Sequence, residues 1–62
     1  MLTTRERDIL SAVARGERSK EIAVHLGLTT RTVETYLANV YNKLGVDSRA
    51  AAVAVALSRD LL

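Results

Sequence analysis

A chain of 62 residues, 48% of them apolar, has enough hydrophobic material for one small core and too much for disorder, so a single domain with thin packing margins is expected. The lack of cysteine excludes a disulfide framework and a thiolate metal site; the longest apolar run, Ala50 to Leu57, is too short to span a bilayer, and no signal-peptide pattern opens the chain, so no membrane partner is expected. Nine Lys and Arg against seven Asp and Glu leave a formal charge of only +2, so any case for a polyanionic partner rests on where the charges sit.

There is no proline, and both aromatics, Tyr36 and Tyr41, fall in one segment, which reads as an all-helical composition. The first helix is expected over about residues 3–15. Thr3 and Glu6 have capping-box spacing, each side chain able to accept from the other's backbone N–H. Ile9, Leu10, Val13 and Ala14 supply an apolar stripe, and Gly16 supplies the left-handed stop. Arg5, Arg7, Asp8, Arg15, Glu17 and Arg18 read as a solvated face and connector. Ser19 is the next N-cap candidate, for a helix over about 19–26 that buries Ile22, Ala23 and Leu26 and stops at Gly27. His25 has no second His, no Cys and no expected carboxylate group beside it. It reads as an exposed residue or a weak phosphate donor, not as a metal ligand.

The third segment, 30–44, is capped by Thr29 and closed by Gly45, and at 1.5 Å per residue it spans roughly 22 Å. Laid out at the helical period, Val33, Tyr36, Leu37, Val40, Tyr41 and Leu44 share one side, while Arg31, Glu34, Thr35, Ala38, Asn39 and Asn42 share the other. The outer side is short of charge and rich in small polar groups. Two readings stay open: an ordinary solvated face, or a surface that hydrogen-bonds the edges of bases. A brief helix, a glycine turn and a longer helix form a helix-turn-helix. Asp47 or Ser48 caps a fourth helix over about 48–58. It carries one apolar stripe of Ala50, Val53, Ala56 and Leu57, and a second of Ala51, Val55, Ser58 and Leu62 with Ala54 alongside. A small core absorbs one of them. The other is present either for helix propensity or as a surface on which two helices approach closely.

The expected fold is therefore all-α, a compact four-helix domain over 1–62 containing a helix-turn-helix. Because the chain begins almost at its first cap, it is expected to be an excised or terminal domain with any neighbour upstream. No nucleophile–base pair, metal spacing or phosphate-cradling glycine loop is present, so no enzyme and no cofactor are implied.

Taken together, the strings LTTRERDIL, SKEIAVHLGL, TTRTVETYLANVYNKLGV and SRAAAVAVA resemble, in order and over nearly the whole chain, the C-terminal DNA-binding domain of LuxR-type transcriptional regulators. The resemblance implies the cytoplasmic output domain of a bacterial transcription factor, working beside an upstream receiver or sensory domain and RNA polymerase. Its third helix would enter the major groove of double-stranded DNA, and its fourth would pair two copies as a homodimer through Ala51, Ala54, Val55, Ser58 and Leu62. By position, Glu34, Thr35, Ala38 and Asn39 fall where the family reads bases, and Lys20, Thr29, Thr30, Arg31, Thr32 and Lys43 fall near the phosphate backbone. Asn42 adds a polar group on the same outer side. The chain departs from the family pattern at Glu34, where many relatives carry Lys, and near Ala38, Asn39 and Asn42, where a basic residue is frequent, so its basic readout is diminished.

On that reading Lys20, Arg31 and Lys43 neutralise roughly 3 phosphates per subunit, or about 6 per dimer. Asn39 suits adenine N6 and N7, and the methyls of Thr35 or Ala38 suit a thymine methyl. Glu34 either accepts from cytosine N4 or pairs with Arg31 at i, i+3. Two alternatives share these features. The promoter-reading domain of a sigma factor has a similar opening and second helix, but lacks the KLGV-x-SR segment and the two-sided fourth helix; a helical protein-interaction module would suit the modest charge and Glu34.

Overall fold

A computed structural model describes all 62 residues and contains four helices and no strand: α1 Thr4–Ala14, α2 Ser19–Leu26, α3 Thr30–Leu44 and α4 Arg49–Ser58. Each start has a local cause. Thr3 and Glu6 close the capping box, the Glu6 N–H donating to Thr3 Oγ1 at 3.2 Å and the Thr3 N–H to Glu6 Oε1 at 2.8 Å. Thr29 accepts from the Thr32 N–H, and Ser48, the second of the two candidates, accepts from the Ala51 N–H, both at 3.1 Å. Gly27 and Gly45 end α2 and α3 in the left-handed conformation, with φ of 68° and 71°.

The cap of α2 is a correction. Arg18, not Ser19, is the N-cap, and the orphan N–H of Arg18 is met by Glu21 Oε1 at 2.8 Å. Ser19 stands one residue into the helix and is buried, its hydroxyl turned away to a tertiary partner described below.

The core is built in two lobes on α3. Val33 and Leu37, in the first half of α3, pack with Ile9, Ala12 and Val13 of α1 and with Ile22 and Ala23 of α2. Val40 and Leu44, in the second half, pack with Leu2, Leu10, Ala52 and Ala56. Tyr41 and Val53 lie against both lobes. Only 15 of the 62 residues are buried, so each one matters to stability. In α1 the buried small residue is Ala12 rather than the expected Ala14, since Ala12 shares a face with Ile9 and Val13 while Ala14 turns outward.

In α4 the core side takes Val53 and Ala56 from the first expected stripe and adds Ala52, which neither stripe contained. Ala52 and Ala56, four residues apart, are fully buried, Val53 and Val55 flank them, and Ala50 and Leu57 face solvent. The reason is proximity: alanine at the contact line lets α4 lie close upon Leu10 and Val40, and that rotation carries Leu57 to the far side, where it is 64% exposed. The molecule measures 28 × 19 × 19 Å, and no helix is long and apolar enough to cross a membrane.

Candidate nucleic-acid interface

Because α3 buries Val33, Leu37, Val40 and Leu44 against both lobes, its opposite side is held outward along its whole length. Arg31, Glu34, Thr35, Ala38, Asn39, Asn42 and Lys43 are all exposed. Thr29 and Thr30 open the helix as exposed residues, Thr32 is half-buried, and Lys20 is exposed at the start of α2. The α3 residues singled out from the sequence thus line its outer side, and Lys20 is exposed on the neighbouring α2.

Within that surface the side chains divide by whether the protein already uses them. The Thr35 hydroxyl donates to the Arg31 carbonyl oxygen at 3.1 Å, so its proton is spent within the helix and its methyl remains for contact. Thr29 Oγ1 donates to Thr32 Oγ1 at 2.9 Å, holding the first turn. The side-chain hydrogen bonds and ion pairs of α3 and its cap belong to Thr29, Thr32, Glu34, Thr35 and Lys43. Arg31, Asn39 and Asn42 take no part in them.

The two charges at the margins of the surface are tied to the body of the domain. Lys43 donates to Glu6 Oε1 at 2.7 Å and to the Met1 carbonyl at 3.4 Å. Glu6 is 3% exposed, and its carboxyl is held below the usual glutamate range, first by Lys43 and then by the Thr3 N–H, against a smaller opposing effect of burial. On the opposite margin Glu34 does not pair with Arg31. Ser19 Oγ donates to Glu34 Oε2, Arg49 Nη2 donates to Ser19 Oγ at 2.7 Å, and Arg49 Nη2 lies 3.6 Å from Glu34 Oε2. Helix period alone placed Arg31 within reach of Glu34; the packing of α2 and α4 beside α3 supplied better partners.

His25 is exposed on α2, as expected, but its neighbour was not foreseen. A carboxylate does lie beside it: Glu17, from the α1–α2 connector, has Oε1 at 2.9 Å from His25 Nδ1, and its Oε2 accepts from Arg15 Nε at 3.1 Å. These contacts, His25 foremost, lower the Glu17 carboxyl. The cluster clasps the connector to the end of α2. No group of three or more His, Cys, Asp and Glu is arranged to hold a metal ion.

Sequence reasoning missed Arg49. A signal was present: it is the sole charge in RAAAVAVALS and stands at the first position of α4, where the helix dipole disfavours a cation. Such a residue needs another reason to be there, and Ser19, Glu34 and the Glu17 carbonyl oxygen, to which Nη1 donates at 3.3 Å, provide it.

A short bracing helix, a glycine turn and a longer helix with an outward polar face define the class of helix-turn-helix DNA-binding domains. Comparison narrows the class. The profile described as "Bacterial regulatory proteins, luxR family" matches residues 1–56, and the chain belongs to that family. It is 46% identical over 61 residues to the transcriptional regulatory protein YdfI of Bacillus subtilis (strain 168), covering 98% of this chain and 29% of that protein. Among solved structures, the response regulator ChrA of a heme-sensing two-component system superposes with a TM-score of 0.97 at 37% identity, over 100% of this chain and 31% of that one. The transcription factor GerE superposes with a TM-score of 0.90 at 34% identity, over 95% and 88%. The chain is thus a LuxR-family DNA-binding regulator domain, of a family of transcription regulators rather than of enzymes, and it spans about three tenths of the length of YdfI.

Proposed function

We propose that the domain binds double-stranded DNA sequence-specifically, with α3 in the major groove, and that it does no chemistry of its own. The observation that carries this reading is the state of the α3 surface. Arg31, Asn39 and Asn42 stand exposed and free of internal partners, while the charges at both margins are drawn back onto the domain. Asn39 is suited to a bidentate contact with adenine, and Thr35 and Ala38 offer methyl groups to thymine. Lys20 and Arg31, with the unpaired N–H groups at the start of α3, are the phosphate contacts that set register. Lys43, countered by Glu6, belongs to the fold more than to the backbone contacts, so the electrostatic contribution falls to about 2 phosphates per subunit.

Two copies would pair through the outer side of α4, and a family member of this kind would act in the cytoplasm, where bacterial DNA lies. Because ChrA is a response regulator, and ChrA and YdfI are each more than three times as long as this chain, an upstream receiver or sensory domain and RNA polymerase are the further partners we assign to the whole protein.

The test is selection of bound duplexes from a random pool at two salt concentrations. A preferred sequence, recovered as paired half-sites and bound more weakly at the higher salt, is expected. Recovery of no duplex even in dilute buffer would overturn the reading.

A further inference from the structure

We propose that Arg49 is a positioning residue for DNA binding: through Ser19 it holds the Glu34 carboxylate at the edge of α3 and so keeps a negative charge off the surface that meets the duplex. The inference rests on the DNA-binding reading above and concerns a residue that makes no part of the outer face of α3. Arg49 is fixed from three sides. Its guanidinium donates to the Glu17 carbonyl of the α1–α2 connector at 3.3 Å and to Ser19 Oγ of α2 at 2.7 Å, and it lies 3.6 Å from Glu34 Oε2 of α3. Ser19, 8% exposed, is the relay, accepting from Arg49 and donating to Glu34.

The arrangement matters because of where Glu34 stands. Its side chain is 55% exposed, and it shares the outer side of α3 with Arg31 and Ala38, one turn away on either side. Duplex DNA carries one negative charge for about every 1.7 Å of its axis, so a carboxylate free to swing across that side would meet phosphates and repel them. Clamped by a hydroxyl and a guanidinium on the flank towards α2 and α4, it is both neutralised and turned from the groove. The clamp is formed before DNA arrives, and no reorganisation is needed on docking. It also links the bracing helix, the recognition helix and the start of α4 through one buried hydroxyl, so the orientation of Glu34 is set by three elements at once.

The experiment is a double-mutant cycle read by fluorescence anisotropy with a random-sequence duplex at low salt, using the intact domain and the variants Arg49→Ala, Glu34→Gln and the pair. Arg49→Ala is expected to weaken binding about five- to tenfold. Adding Glu34→Gln to Arg49→Ala is expected to recover most of that loss, the gain from Glu34→Gln being several-fold larger without Arg49 than with it. Melting both Arg49 variants separates this from a general loss of stability, because they are expected to unfold together while binding differently. If Arg49→Ala does not fold, Arg49→Gln, which keeps a donor for the Glu17 carbonyl, carries the same comparison. Unchanged affinity in the Arg49 variant overturns the proposal. Equal weakening with either residue at 34 overturns it as well, and makes Arg49 a structural prop or a phosphate ligand itself. If the parent domain ignores the duplex, the DNA-binding reading fails and takes this one with it.

Discussion

Asn39 is exposed on the polar side of α3 and answers to no partner in its own chain, so its amide is available for an outside one. Replacing it by Ala is expected to cost about 1–3 kcal/mol of discrimination between the selected and a random duplex while leaving random-duplex affinity nearly intact. Competition titrations measure this, and equal losses on both duplexes would remove Asn39 from the reading set. Lys20→Ala is expected to weaken binding to every sequence and to flatten the slope of log K against log salt by about 1; an unchanged slope would remove Lys20 from the phosphate contacts. The exposed place of Asn39 was legible in the sequence because it needs only the helix period, while Lys20, second in α2, was singled out by the family resemblance. Glu34 and Lys43 were not. Their partners, Ser19 and Arg49 for one and Glu6 for the other, lie 15 or more positions away along the chain and depend on how helices pack.

At the scale of elements, α3 was readable almost throughout because its buried and exposed sides alternate at a clean period and both ends are punctuated, by Thr29 and Gly45. In α4 the pattern was ambiguous. Alanine is compatible with either a contact line or an exposed face, and only packing against Leu10 and Val40 selects Ala52 and Ala56 as the inner pair. Val55 packs beside the second lobe, so a charge there would disturb the fold as well as any interface. Leu57, 64% exposed, and Ala54, also exposed, are the better probes. Leu57→Glu is expected to leave the melting temperature nearly unchanged and to abolish cooperative binding to paired half-sites, as followed by gel shift on duplexes with one or two sites. Retained cooperativity would exclude this side of α4 as the pairing surface.

For the whole molecule, stability is concentrated in few contacts. Leu37 is fully buried in the first lobe, and truncating it to Ala is expected to cost about 2–5 kcal/mol, enough to unfold much of so small a domain, as urea denaturation would record. The buried Glu6 adds a pH dependence. Its carboxyl titrates lower in the folded than in the unfolded chain, so on acidification the unfolded state takes up the proton first and stability falls. The contribution is complete above the unfolded value of about 4.3 and is lost as pH drops through the folded value. Melting curves from neutral to about pH 3 are therefore expected to shift down in the parent. Glu6→Gln should be less stable at neutral pH, with its deficit shrinking in acid; a constant deficit would mean that Glu6 acts by shape rather than charge.

By itself the sequence determined the four helices, the stops of the first three, the buried side of α3 and its neutral polar outer side, because these follow from capping groups, left-handed glycines and a period of 3.6, all local along the chain. Only the tertiary structure decided which alanines of α4 face inward, which carboxylate His25 meets and where Glu34 points. Those outcomes depend on which side chains from distant segments arrive at the same place, and a charged or small residue accepts whichever partner the packing brings within reach.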